Sequence, residues 1–181
     1  MKVYGYLMVW ALAWVIAGAG CGSDDGVGDG GEVRSDEGLH AFMQAVALDF
    51  AQVLADVAPS NTFAIKATAS CPEGGTADYT ANEFGQGTLG LVGCVMRGFN
   101  VTGTLNGFVF SEQQNVGGDF LTGPLTVSGA ASADLFVEQL TVSATLPITD
   151  ATTFWQIAAT TTDGTSVCAW SGGSDCGPAT F

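Results

Sequence analysis

The chain has 181 residues, of which 18 are Asp or Glu, 4 are Lys or Arg and one is His, so its formal net charge at pH 7 is −14. Only 12% of the residues are charged whereas 47% are hydrophobic, so the acidity reflects a shortage of basic side chains in a chain that is apolar enough to fold. Phosphate contacts need a basic surface, so this composition excludes nucleic acid as a partner and excludes electrostatic attraction to anionic lipid headgroups.

The first twenty residues have the composition of an export signal. Lys2 precedes an uncharged apolar run over residues 3–20, and small residues end that run directly before Cys21. The pattern predicts a secretory signal peptide over residues 1–20. Two alternatives stay open: an uncleaved transmembrane anchor, because the run is just long enough to span a bilayer, and a plain secretory signal that leaves Cys21 as a free thiol.

Ala19, Gly20 and Cys21 resemble the lipobox of bacterial lipoprotein precursors, which signal peptidase II cuts before an obligatory Cys. Gly18 stands where that motif usually has Leu. The resemblance is confined to the signal and its junction, and the rest of the chain is not recognised. It implies a diacylglyceryl thioether on Cys21 with palmitate-type acyl chains. The implied location is the cell envelope, on the periplasmic side, at the outer membrane or cell surface rather than the inner membrane.

Residues 22–37 contain little that could be buried. The segment reads GSDDGVGDGGEVRSDE, which is rich in Gly and in acids. It predicts a flexible, self-repelling tether over residues 21–37. The Asp spacing does not match the order of a calcium-binding loop, so no metal site is predicted here.

Residues 39–57 carry the clearest helical pattern, because apolar side chains recur there at steps of three and four. Ser35 or Asp36 is placed to cap the start, and Pro59 is expected to end the helix. An apolar stripe of this kind packs on a sheet or lines a ligand site. Its members are Leu39, Phe42, Met43, Val46, Phe50, Val53, Leu54 and Val57.

After Ser60 the period of the pattern changes to two, with apolar residues alternating with Thr, Ser and Asn. About eight strands follow at short, turn-rich spacing, which indicates antiparallel hairpins. The predicted fold class is mainly β (α+β): a single domain over residues 38–181, built as a curved antiparallel meander or open barrel of about eight strands with one N-terminal amphipathic helix packed on it. Between Leu135 and Leu140 the alternation slips phase, which predicts a bulge or a short break near Glu138.

Four cysteines lie beyond Cys21, an even number in a chain predicted to be exported, so disulfides are expected. Of the three possible pairings we favour the local one, Cys71–Cys94 and Cys168–Cys176, because a meander brings Cys71 and Cys94 to the same end of the sheet. No C-x-x-C pair occurs and His40 is the only His. The sequence therefore predicts no metal site and no cofactor.

Motifs for catalysis are absent from the sequence, and the chain is predicted not to be an enzyme. His40 lies in the first turn of the predicted helix and is interpreted as a surface residue rather than a catalytic base. Arg97 could pair with an acid or contact an anion. Carboxylates could in principle form an acid–base pair, but their spacing is that of turns and strand edges; they are Asp78, Glu83, Glu112, Asp119, Asp134, Glu138 and Asp150.

Two functions of different classes remain. The first is a membrane-anchored, non-catalytic interaction or structural module of the cell envelope, whose protein partner the sequence does not identify. The second is a carrier that holds an apolar ligand between the helix and a curved sheet, with Phe42, Val46, Phe50 and Val53 facing the ligand. That architecture is similar, as a fold analogy only, to periplasmic and mycobacterial lipoprotein carriers with a half-barrel and a helical lid. We favour the first, because one bulky helix stripe can fill the interior.

Overall fold

The computed structural model describes residues 31–58, 66–82 and 86–176. Cys21, the predicted signal peptide and Pro59 lie outside these residues. One helix, α1 (Asp36–Val57), is followed by an antiparallel sheet. The strands are β1 (Gly31–Glu32), β2 (Lys66–Ser70), β3 (Thr76–Ala81), β4 (Gln86–Met96), β5 (Phe99–Glu112), β6 (Asn115–Gly129), β7 (Ala131–Thr145), β8 (Thr153–Thr161) and β9 (Ser166–Trp170).

Helix α1 begins at Asp36, three residues earlier than the apolar pattern predicts. Ser35 is the cap: its Oγ accepts a hydrogen bond from the Gly38 N–H at 3.1 Å, which satisfies one of the free donors of the first turn. Asp36 and Glu37 place negative charge at this end, where the helix dipole favours it. All eight members of the predicted apolar stripe are buried, each at most 4% exposed.

Strands β2 to β9 form a meander in which each strand pairs antiparallel with the next, and the sheet is not closed. The predicted fold is confirmed. Along β7, for example, Leu135 and Val137 face inward and are buried, whereas Asp134 and Phe136 face outward and are exposed. This alternation follows from the two-residue period of a strand and gives the sheet one buried face and one exposed face.

The buried face of the sheet packs against α1. The helix contacts every strand from β2 to β9, including both edge strands, and its contact with β9 is the most extensive. By length and composition α1 could also cross a membrane, but its apolar stripe is buried in the core of this domain. The sheet therefore curves around the helix, which lies close to both exposed edges and helps to cover them.

The predicted bulge at Glu138 is confirmed, because the register of β7 against β8 shifts between Val137 and Gln139. Two further bulges were not predicted. One lies in β4 between Leu91 and Cys94. The other lies in β6, where Leu121 is the extra residue between the partners of Asn106 and Gly107 of β5. Each extra residue bends its strand and increases the local twist, so the three bulges help the sheet to curve around the helix.

Residues 31–37, assigned to the tether by their composition, belong to the folded part of the chain in the structure. β1 pairs in parallel with the start of β7, and Val33 is buried at 1% exposure. The Asp36 carboxylate accepts a hydrogen bond from the Cys168 N–H at 2.8 Å, which joins the start of α1 to β9. Residues 31–37 are therefore docked on the domain through the pairing of β1 with β7, burial of Val33 and the hydrogen bond of Asp36.

Candidate functional site

The four residues predicted to face a ligand lie in the core. Phe42, Val46, Phe50 and Val53 are each at most 4% exposed. The Phe42 ring meets the Phe99 ring of β5 edge to face at 5.2 Å between centroids, an arrangement that aromatic pairs prefer. Phe50 approaches the Phe120 ring of β6 at 6.4 Å. These side chains pack on strand side chains and occupy the space in which a carrier would hold its ligand.

Both predicted disulfides are present. Cys71 and Cys94 have Cα atoms 5.3 Å apart, and Cys168 and Cys176 have Cα atoms 5.0 Å apart. Strand β3 lies between the two cysteines along the chain, but it begins only at Thr76. The turn that carries Cys71 therefore lies directly against β4, and the first bridge can form. In that turn the Glu73 N–H donates to the Val95 carbonyl at 3.1 Å, and the Val95 N–H donates to the Gly74 carbonyl at 2.8 Å.

A hydrogen bond and an ion pair connect the turn beside this disulfide to the helix. The Glu73 carboxylate accepts a hydrogen bond from the Gly98 N–H at 2.9 Å, in the turn between β4 and β5. Arg97 in the same turn pairs with Asp49 of α1, with 3.3 Å between Nε and Oδ2. The Arg97 backbone has φ of 51°, a left-handed conformation that is uncommon for a residue other than glycine. Of the two roles considered for Arg97, the structure shows the ion pair.

Four of the carboxylates considered as acids or bases are acceptors for threonine hydroxyls on the neighbouring strand, at 2.5–3.0 Å. Cross-strand pairs of this kind stabilise the exposed face of a sheet. Asp150 lies in a short 3-10 turn before β8, and Glu83 lies outside the described residues. The four pairs are Thr68–Asp78, Thr126–Asp134, Thr141–Asp119 and Thr160–Glu138.

Tyr79 is a fully buried side chain with a structural hydrogen bond. Its hydroxyl accepts a hydrogen bond from the Val109 N–H of β5 at 3.1 Å. The last described pair between β4 and β5 is Gln86 opposite Phe108, one residue before Val109. Burial raises the pKa of the Tyr79 hydroxyl above its ordinary value of 10.0, and the Val109 hydrogen bond partly offsets this rise. Tyr79 thus supplies an acceptor for a β5 N–H that lies just beyond the last described pair of β4 and β5.

The exposed face of the sheet carries aromatic and aliphatic side chains among polar ones. Phe108 and Phe110 are in ring contact at 6.0 Å between centroids, but Phe108 stands opposite Asp119, which in turn stands opposite Thr141. The most exposed of the apolar side chains here is Leu121, the extra residue of a bulge. The face is therefore mixed in character rather than one continuous apolar surface.

A cleft opens between the flank of α1 and the end of the sheet where β8 begins. It has a volume of about 240 Å³, and its walls come from three distant parts of the chain. Trp155 of β8 is 2% exposed, and its ring lies 5.4 Å from the ring of His40, between centroids. His40 is therefore half-buried against this tryptophan rather than a simple surface residue. The cleft is lined by Gln44, Ala47, Leu48, Asp150, Thr153, Trp155 and Ser171.

The structure brings together only some of the residues that the sequence singled out. The helix stripe and the Cys71–Cys94 disulfide belong to one core, whereas Cys176 of the second disulfide is exposed. Within the described residues no group of three or more His, Cys, Asp or Glu could hold a metal ion. The sequence analysis missed the cleft, because its walls are far apart along the chain. Its only local signal is the short segment from Asp150 to Thr153, which precedes Phe154 and Trp155 at the start of a strand.

Comparison of the chain with protein-family models, with curated proteins and with solved structures finds no match.

Proposed function

We propose that this chain is an exported lipoprotein, anchored in the membrane through a lipid on Cys21, whose folded domain is a non-catalytic interaction or structural module of the cell envelope. The small residues before Cys21 motivate the anchor. Two disulfides support export, since such bonds persist in oxidising compartments. The cell envelope, at the outer membrane or cell surface, is the proposed location.

The observation that carries the choice of a module over a carrier is the packing of the α1 stripe. Phe42 and Phe50 make ring contacts with strand phenylalanines in the interior, so the helix fills the concave side of the sheet. A carrier needs an apolar cavity there, typically several hundred Å³. The threonine partners of four carboxylates further favour a structural use of these acids over acid–base chemistry.

The anchor is tested by Cys21→Ser in the full chain expressed with its own leader. We expect the wild type to fractionate with membranes and its mature mass to include a diacylglyceryl group on an N-terminal Cys21. The variant should be released from membranes or accumulate unprocessed, whereas Ser23→Ala serves as a matched control and should behave as wild type. A wild-type protein that carries no lipid and whose N-terminus is not Cys21 would contradict the proposal.

A further inference from the structure

Trp155, which lines the cleft, has an indole N–H with no hydrogen-bond partner among the described residues. No described residue accepts a hydrogen bond from Trp155 Nε1. The described residues also contain no fully buried side-chain nitrogen or oxygen that lacks a partner. The indole nitrogen is therefore not fully enclosed, although the residue as a whole is 98% buried, and Trp155 is one of the residues that line the cleft.

Other polar groups of the cleft are also available to a ligand. Gln44, Asp150 and Ser171 make no side-chain hydrogen bond with any residue that the structure describes. The Thr153 hydroxyl donates to the Thr149 carbonyl at 2.8 Å and keeps its lone pairs as acceptors. The cleft therefore offers donors from the indole and the amide, and acceptors from the carboxylate, the amide and the hydroxyls.

Charge narrows the class of ligand that such a cleft can hold. Among the residues that the structure describes, no Lys, Arg or His lines the cleft and one carboxylate does. The chain has a net charge of −14, so an anion is disfavoured. A simple amine has only donors to offer, and it would leave the indole N–H without an acceptor. A neutral molecule with several hydroxyl groups satisfies both kinds of partner, since each hydroxyl donates and accepts.

The size and shape of the cleft narrow the class of ligand further. The cleft is smaller than the roughly 300–1,000 Å³ of sites for drug-sized ligands, which suits a single ring. Ala47 and Leu48 of α1 contribute the smaller, apolar part of a mostly polar lining, and this part is where C–H groups of a sugar ring can lie. We propose that this cleft binds one neutral sugar residue, held by the Trp155 indole N–H, Gln44 and Asp150. This inference rests on the proposed role as an interaction module and names the chemical class of its partner.

The two tryptophans among the described residues, Trp155 and Trp170, provide the test. Trp170 Nε1 donates to the Asp175 carboxylate at 2.7 Å, so its indole signal is an internal reference for that of Trp155. The indole N–H signals are recorded by ¹H–¹⁵N NMR on the full chain labelled with ¹⁵N. The protein is purified in lauryldimethylamine oxide, because maltoside detergents carry a sugar head group. Glucose, galactose, mannose and N-acetylglucosamine are titrated in turn, and Trp155→Phe assigns the signal.

We expect at least one sugar to shift the Trp155 signal saturably, with half-saturation at about 1 mM for a few solvent-accessible hydrogen bonds, while the Trp170 signal stays in place. Asp150→Ala should weaken this binding about five- to tenfold, the worth of one hydrogen bond. Asp134→Ala, on the exposed face of β7, is the matched control and should bind as wild type.

The inference is overturned if none of the four sugars moves the Trp155 signal, if both indole signals move together, or if Asp134→Ala weakens binding as much as Asp150→Ala. Intact mass of the same preparation reports the lipid on Cys21. A lipidated protein without sugar-dependent shifts refutes this inference alone, whereas a sugar-binding protein without lipid refutes the proposed anchor alone.

Discussion

Replacing Phe50 with Ala tests whether α1 fills the interior of the sheet. The Phe50 side chain is 4% exposed and packs towards Phe120, so almost the whole ring is removed from water on folding. The helix contacts all eight strands of the meander and cannot move inward to close the gap. We therefore expect Phe50→Ala to lower the free energy of unfolding by about 3–5 kcal/mol, the range for buried phenylalanines.

The measurement is equilibrium unfolding in denaturant of the full chain, in one detergent, for wild type and variant. Phe136→Ala is the matched control, because it makes the same chemical change at a side chain that is 52% exposed, and it should cost about 1 kcal/mol or less. Native mass spectrometry of the wild type completes the test. A small loss for Phe50→Ala, together with a copurified apolar ligand, would refute the filled core and support the carrier.

Two further predictions concern the buried hydroxyl and the disulfides. We expect Tyr79→Phe to cost about 1–3 kcal/mol at pH 7, because the Val109 N–H loses its acceptor in the core. Folding raises the pKa of Tyr79, so the contribution of its neutral hydroxyl to stability is present below pH 10 and is lost as the pH rises through the raised pKa. The loss of unfolding free energy caused by Tyr79→Phe, measured by chemical unfolding, should therefore shrink above pH 10. Equal stabilities of wild type and variant at pH 7 would contradict the role of Tyr79 as the acceptor for Val109. Removing the Cys71–Cys94 bridge by a double Ala substitution should cost about 3.5 kcal/mol and removing Cys168–Cys176 about 2.5 kcal/mol, because the first closes the longer loop; the reverse order in thermal or denaturant unfolding would disprove this account.

The order and type of the elements could be predicted from the sequence. An amphipathic helix and half-buried strands differ in the period of their apolar residues, and that period is a local property of the chain. The phase slip after Leu135 located the bulge at Glu138 for the same reason, because an extra residue shifts every later side chain to the opposite face. The even number of cysteines and the meander order then sufficed to choose the disulfide partners.

Local pattern could not reveal contacts that depend on how the sheet curves. Composition assigned residues 31–37 to the tether, yet β1 pairs with β7 and Asp36 reaches Cys168, because docking of a short polar segment depends on partners about a hundred residues or more away along the chain. The same holds for the ion pair of Arg97 with Asp49, which joins a hairpin turn to the middle of the helix.

The cleft is the clearest example of a feature that local sequence pattern could not predict. Its walls come from α1, from the turn that begins at Asp150 and from Ser171 after β9, and each segment by itself has the composition of an ordinary surface. The sequence determined that a helix would cover a meander of strands and that its apolar stripe would face them. Only the tertiary structure decided where the flank of that helix meets the end of the sheet, because the curvature produced by the bulges sets which distant side chains become neighbours.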